Sequence, residues 1–300
     1  MKEQELPKVS VIVLTFNQAN TTLKRLIDSF LNQDYPKNKI ELIVMDDGST
    51  DNTQKLLESY GKRICFVTTK RAGGLKNFIT GIGLAKNDFV LRMAGDCVPD
   101  KFFTRKLMQQ FTSPEIGFVS AFSENGGTAT AYRKKVFKKA GLPDLEFSDG
   151  LTGYRDDSDL AFRIWDAGYK SVFNYKPKFE HVHKAKSGWS SGILSYALSR
   201  LKIHRFDPLL YKKHPKRGKE FFDVKLGFIR NPVKDFQAAT GGWWHGKDKR
   251  FSLSSPQGVM LISNKTPLHS LAIILGGAIY VILVKIVRLY WSFKYRKLLI

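Results

Sequence analysis

The chain has 300 residues, 43% hydrophobic and 25% charged, a balance that fits a folded globular protein and excludes a disordered one. Its formal net charge of +22 calls for anionic partners: nucleic acid, phosphate-bearing ligands or anionic lipid headgroups. Cys65 and Cys97 stand far apart without metal-ligand spacing, so neither a disulfide scaffold nor a zinc site is expected and a reducing compartment fits.

The opening residues, Met1 to Pro7, lack the apolar run of a signal peptide, and the expectation is a chain that starts in the cytoplasm. Val9–Leu14 is nearly all β-branched or leucine and predicts a buried strand. Leu23, Leu26, Ile27, Phe30 and Leu31 recur at helical spacing within Thr22–Gln33, which Pro36 closes. Ile40–Met45 is the second predicted strand, Asp46–Thr50 a tight turn, and Asp51–Tyr60 a helix stopped by Gly61. Ile64–Thr68, Leu75–Ala85 and Phe89–Met93 continue as strand, helix and strand, and Lys101–Phe111 as a helix. Strands alternating with helices of this length predict an α/β fold with a mostly parallel sheet flanked by helices.

The rhythm then loosens. Gly117–Phe122 and Thr128–Tyr132 read as short strands around Gly126-Gly127, followed by helices at Lys134–Ala140 and Asp157–Ala167. Tyr175–Thr266 gives no parse beyond its richness in lysine, glycine and aromatics. Leu268–Val284 is apolar apart from His269, Ser270 and Tyr280, and Lys285, Arg288, Lys294, Arg296 and Lys297 follow it. This predicts membrane association, either as one short span or as a helix lying in the interface with Tyr290, Trp291 and Tyr295 at headgroup level. Three regions result: 1–204, a basic irregular extension over 205–266, and an apolar helix with a basic tail over 267–300.

In parallel α/β sheets, ligands bind outside the carboxyl ends of the strands. Three polar turns converge there: Thr15-Phe16-Asn17, Asp46 to Asp51, and Gly95-Asp96-Cys97. Helix capping and turn formation account for Ser49, Thr50 and Asp51. They leave two carboxylates at the strand end, which suit hydrogen bonds from a base or ribose.

The runs Val9-Ser10-Val11-Ile12-Val13-Leu14-Thr15-Phe16-Asn17 and Ile43-Val44-Met45-Asp46-Asp47-Gly48-Ser49-Thr50-Asp51 resemble the opening of family 2 glycosyltransferases. The resemblance extends from Val9 to His183. It implies a GT-A fold and inverting transfer from a nucleotide sugar, UDP- or GDP-linked. Thr15, Phe16, Asn17 and Asp47 would line the nucleotide pocket, with Asp47 on the base. Lys76, beside Asn77, would meet the diphosphate. Where the family commonly shows Asp-x-Asp, this chain reads Ala94-Gly95-Asp96; the retained Asp96 would bind Mg²⁺ or Mn²⁺, and within His181-Val182-His183 the second histidine, His183, or alternatively His181, would complete the metal or diphosphate site.

Tyr154-Arg155-Asp156-Asp157-Ser158-Asp159-Leu160-Ala161-Phe162-Arg163 is similar to the family's Glu-Asp-x-Asp-Leu-x-x-x-Arg signature, with Asp156 replacing Glu. Asp157 would then be the general base. Asp156 and Asp159 would raise its pKa by like charge, although Asp159 and Arg163 also have i,i+4 spacing for an ion pair. Gly127, Thr128 and Asp156 would form the acceptor side, glycine letting backbone approach a sugar closely.

The implied acceptor is a glycan, a polysaccharide or a lipid-linked sugar, reached from an anionic membrane surface with the catalytic domain in the cytoplasm. Two other readings remain, a catalytically weak or inactive relative at the membrane, motivated by Ala94, and a nucleic-acid binder using the Lys212–Lys219 cluster. No zinc-finger spacing or aromatic RNA-binding signature supports the second, so nucleic acid is not an expected partner.

Overall fold

The computed structural model describes residues 6–151, 153–182, 201–232, 235 and 267–300. The chain divides into two compact units, Met1–Val182 and His183–Ile300.

In the first unit, β1 (Val9–Thr15), β2 (Ile40–Asp46), β3 (Cys65–Thr68) and β4 (Phe89–Ala94) lie side by side in parallel. In β1, in the second half of β2 and in β4 the β-branched residues are buried on both faces, as a sheet covered on both sides requires, while β3 at the edge is more open. β6 (Ile116–Ser120), β7 (Thr130–Arg133) and β8 (Lys170–Phe173) extend the sheet to seven strands in the order β3-β2-β1-β4-β7-β6-β8. β7 runs antiparallel to both β4 and β6, and β6 pairs in parallel with β8. The expected α/β sheet is therefore present, with one antiparallel strand, β7, inserted between β4 and β6.

Side chains alternate between two cores. Val9, Val11 and Val13 share one with Leu26, Ile27 and Phe30 of α1 (Leu23–Leu31) and with Phe103 and Leu107 of α4 (Phe103–Met108). Ile12, Ile43 and Met45 share the other with Phe78 and Ile82 of α3 (Gly74–Leu84) and with Leu160 and Ile164 of α6 (Asp156–Asp166). α2 (Thr53–Glu58) and α5 (Val136–Ala140) are shorter α-helices of this unit. A separate ribbon pairs β5 (Cys97–Pro99) antiparallel to β9 (Phe179–His181), setting Cys97 opposite His181.

The stretch from 175 to 266, which sequence periodicity left unparsed, contains regular structure. α7 (Phe206–Lys213) and α8 (Pro215–Phe222) are followed by a hairpin of β10 (Val224–Lys225) and β11 (Phe228–Ile229). Pro215 opens α8, where its fixed φ and missing N–H carry no penalty. The expected apolar helix is α9 (Pro267–Tyr295), which runs well beyond Val284 and carries a stretch, Leu275–Tyr295, long and apolar enough to cross a membrane.

Arg288 on α9 is fully buried. Its Nε donates to Asp207 Oδ2 at 2.9 Å and its Nη1 to Asp235 Oδ1 at 2.5 Å. Lys285 Nζ lies 3.0 Å from Asp235 Oδ2, and His204 Nδ1 lies 3.0 Å from Asp207 Oδ2. The chain end closes on the hairpin, Ile300 N–H donating to Gly227 O and Ile229 N–H to Ile300 O.

Candidate active site

The two adjacent acids at the end of β2 divide the work. Asp46 accepts from the Ser49 N–H at 3.2 Å and from the Ser49 hydroxyl, which closes the turn. Gly48 in that turn has a φ of +73°, and a Cβ there would stand 2.8 Å from Thr69 O.

Asp47 is buried and faces the other way. Its Oδ1 accepts from Gly73 N–H at 2.8 Å and Asn77 Nδ2 at 2.9 Å, and its Oδ2 from Arg71 Nη1 at 2.7 Å. The Arg71 guanidinium stacks 3.3 Å from the centroid of the Phe16 ring. Asn17, with φ +51°, donates its N–H to Ser49 Oγ at 2.8 Å and accepts from Thr50 N–H at 2.8 Å. Thr15 is buried, and its carbonyl accepts the Asp47 N–H. Thr15, Phe16, Asn17 and Asp47 are thus one constellation. Lys76 is exposed one position before Asn77 and makes no ion pair among the described residues; Asn77 and Arg71 are the side chains that reach Asp47.

Asp96 lies after β4, half-buried, with its Oδ1 3.3 Å from His181 Nε2. The ribbon register explains this, since β9 returns beside β5 and the Val182 N–H donates to Asp96 O. Ligand atoms of Asp96, Cys97 and His181 all lie within 4.8 Å of one another. Carboxylate oxygen and imidazole nitrogen suit a divalent cation such as Mn²⁺ or Mg²⁺. The Cys97 thiol is a poor partner in that set, because burial, and next the charge of Asp96, push its pKa far up and keep it protonated. His183 lies outside the described residues.

Ala94 occupies the place of the missing acid, and its N–H donates to Thr128 Oγ1 at 2.9 Å. That bond ties the Gly126–Thr128 loop to the end of β4. Gly127 has a φ of +103°, and a Cβ there would lie 2.9 Å from the Phe122 ring and 3.5 Å from Asp157 Oδ2. The loop therefore borders both Asp96 and Asp157.

Asp156 and Asp157 open α6, where the helix dipole favours negative charge. Asp156 is buried and accepts from Arg92 Nη1 at 2.9 Å. Burial first, then the adjacent charge of Asp156, raise the Asp157 carboxyl above the ordinary carboxylate range, while the Ser158 N–H, Arg92 and Arg155 pull it back. Asp159 plays the structural part that its spacing allows, held by Arg163 Nε at 2.9 Å and Nη2 at 2.6 Å. Arg155, directly before the helix, has a φ of +68°. The residues that the sequence reading missed are Arg71 and Arg92, while His181 is the alternative it set beside His183. Arg92 left one trace, a charge in the middle of an apolar strand, which has to be paired.

Residues 10–162, half of the chain, match the family model for glycosyl transferase family 2. The chain is 27% identical over 132 residues to glycosyltransferase AglE of Haloferax volcanii, covering 41% of this chain and 43% of that one. It is 33% identical over 118 residues to an N-acetylglucosaminyltransferase of Azorhizobium caulinodans, covering 38% and 30%. A dolichyl N-acetyl-alpha-D-glucosaminyl phosphate 3-beta-D-2,3-diacetamido-2,3-dideoxy-beta-D-glucuronosyltransferase of Methanococcus voltae is 27% identical over 131 residues, covering 39% and 40%. The chain spans less than half the length of these curated relatives. Among solved structures, the mannosyltransferase PcManGT of Pyrobaculum calidifontis, in complex with GDP-Man and Mn²⁺, aligns with a TM-score of 0.60 at 18% identity, covering 95% of this chain and 87% of that one. The TarS 1–349 fragment of Staphylococcus aureus, in complex with UDP, aligns with a TM-score of 0.51 at 18% identity, covering 85% and 76%. The sheet order, the acid-bearing turns at its carboxyl edge and the matched half of the sequence agree, and the chain belongs to glycosyl transferase family 2.

Proposed function

We propose that the protein transfers a sugar, with inversion, from a UDP- or GDP-linked donor to a glycan or lipid-linked acceptor. The observation that carries this reading is Asp157, a carboxyl with raised pKa beside the glycine loop, at the sheet edge where Asp47 is held by three donors. Asp47 and Phe16 take the nucleotide base, Asn17 and Thr15 shape the same pocket, and Lys76 is near enough in sequence to serve the diphosphate. Asp96 and His181, with His183 following, would hold Mg²⁺ or Mn²⁺. A divalent cation there supplies positive charge to the departing diphosphate.

The acceptor hydroxyl lies against Gly127 and Thr128, with Asp156 behind them. Asp157 removes its proton as the oxygen attacks the anomeric carbon from the face opposite the donor phosphate. The new C–O bond forms as the bond to phosphate breaks, and the nucleoside diphosphate leaves with the electron pair. The net charge and the apolar α9 support an acceptor at an anionic membrane, with the catalytic unit on the cytoplasmic side. Ala94 motivates one second reading, a weak enzyme with low donor affinity, because the first acid of the usual pair is absent.

Melting the protein against UDP- and GDP-sugars with and without Mn²⁺ tests the donor, since a bound donor raises the transition by mass action. Asp157→Asn should keep that donor-dependent rise and lose transfer. Wild-type transfer by this variant would remove the base assignment.

A further inference from the structure

A helix that crosses a bilayer alone exposes its whole circumference to lipid, whereas a helix lying in the interface needs only one apolar face. α9 has two faces of opposite character. One is taken up by protein: Tyr280, Val284, Arg288 and Ser292 are buried along it. Arg288 on that face is locked between Asp207 and Asp235, and Asp207 belongs to α7, which ends in Lys212 and Lys213. Carrying this part of α9 into hydrocarbon would take those charges with it, at a cost that membrane segments avoid.

The other face is apolar and open. Leu275, Ile279, Ile282, Ile286, Tyr290 and Phe293 recur at helical spacing and are each more than half exposed. They form a stripe roughly 27 Å long. One edge of the stripe carries Lys294, the other Lys285, whose charge is paired with Asp235, and Arg296 and Lys297 stand at its end. The hairpin against which the chain end closes presents Leu226 and Phe228, 85% and 55% exposed, between Lys225 and Arg230. Apolar side chains bordered by cations are complementary to an anionic lipid surface, where acyl chains and headgroup charge lie one above the other.

We infer that α9 does not span the membrane but lies flat on an anionic phospholipid surface, its Leu275-to-Phe293 face and the Leu226–Phe228 hairpin tip inserted together. This deepens the membrane part of the function proposed above. Vesicle binding is read without sugar transfer, so the two can fail separately.

The test uses the full chain carrying Cys65→Ser, with one nitroxide at Ile279→Cys, Ile286→Cys or Phe293→Cys, on vesicles of phosphatidylcholine with phosphatidylserine. The expected result is the same shallow depth at all three positions. Ile286→Glu should weaken vesicle binding about tenfold or more while leaving the melting transition in place. Vesicles of phosphatidylcholine alone, or high salt, should weaken binding as well. Depth that increases steadily from Phe293 to Ile279 would mean a span and overturn the proposal. Labels as water-accessible with vesicles as without them would mean no lipid contact, and would overturn it too.

Discussion

Each unit of the molecule sets an arginine among carboxylates, Arg288 fully buried and Arg92 half-buried, and the two clusters are balanced differently. In the cluster of the C-terminal unit both acids have two partners: Asp207 has Arg288 and His204, and Asp235 has Arg288 and Lys285. In the catalytic unit, Arg92 is bonded to Asp156, and Asp157 beside it has only more distant positive charge to offset its burial. A saturated cluster fixes a helix in place. A cluster with one carboxylate too many leaves a group that holds a proton more readily than usual, which is what a base near neutral pH requires.

The largest expected effect comes from removing the surplus carboxylate. Asp157→Asn should lower the transfer rate by roughly 10²–10⁴ in steady-state assays. The same variant should melt higher at neutral pH. A carboxyl whose folded pKa is raised binds more protons folded than unfolded, so the wild type loses stability as pH rises from the ordinary carboxylate range through the folded value. An unchanged melting temperature would break the contrast.

Next in size, Arg288→Ala should destabilise the C-terminal unit by about 3–5 kcal/mol, because two buried carboxylates lose their shared partner. Denaturant titration measures it. Replacing Arg288, Asp207 and Asp235 together by apolar residues should cost far less, as expected of a cluster whose net contribution is small.

Asp47→Ala should weaken nucleotide binding by about tenfold or more, the size of a lost charge-assisted hydrogen bond, as read by calorimetry. The smallest effect sharpens the comparison most. Asp156→Asn removes a like charge from Asp157 and leaves Arg92 less neutralised. Both changes favour the ionised base, so the acid limb of the pH–rate profile should move to lower pH.

The sequence was most legible where local pattern and tertiary role coincide. Val9–Thr15 and Ile40–Asp46 are strands because they are β-branched and buried on both faces, and either property alone would have predicted them. The turn at Asp46–Asp51 and the acids opening α6 were visible for the same reason. The pairing of Arg71 with Asp47 depends on a loop between β3 and α3, and the approach of His181 to Asp96 depends on a ribbon register that no local pattern encodes. α7 and α8 were hidden because their buried face is made partly of Asp207 and Gly218, which break an apolar period. α9 was legible in length and composition, but its burial of Arg288 was not, since an arginine next to an apolar run reads as a headgroup anchor.

The pairing of Cys97 with His181 also bears on how the catalytic unit comes together. The family match ends at residue 162, whereas β8 and β9 lie beyond it, at Lys170–Phe173 and Phe179–His181. The last edge of the sheet and the histidine that approaches Asp96 are therefore supplied by chain synthesised after residue 162. Contacts so distant in sequence are slow to close. During synthesis the turn at Asp46–Asp51 can assemble around β1 and β2 well before Asp96 meets its histidine, and that contact forms only once β9 has been made.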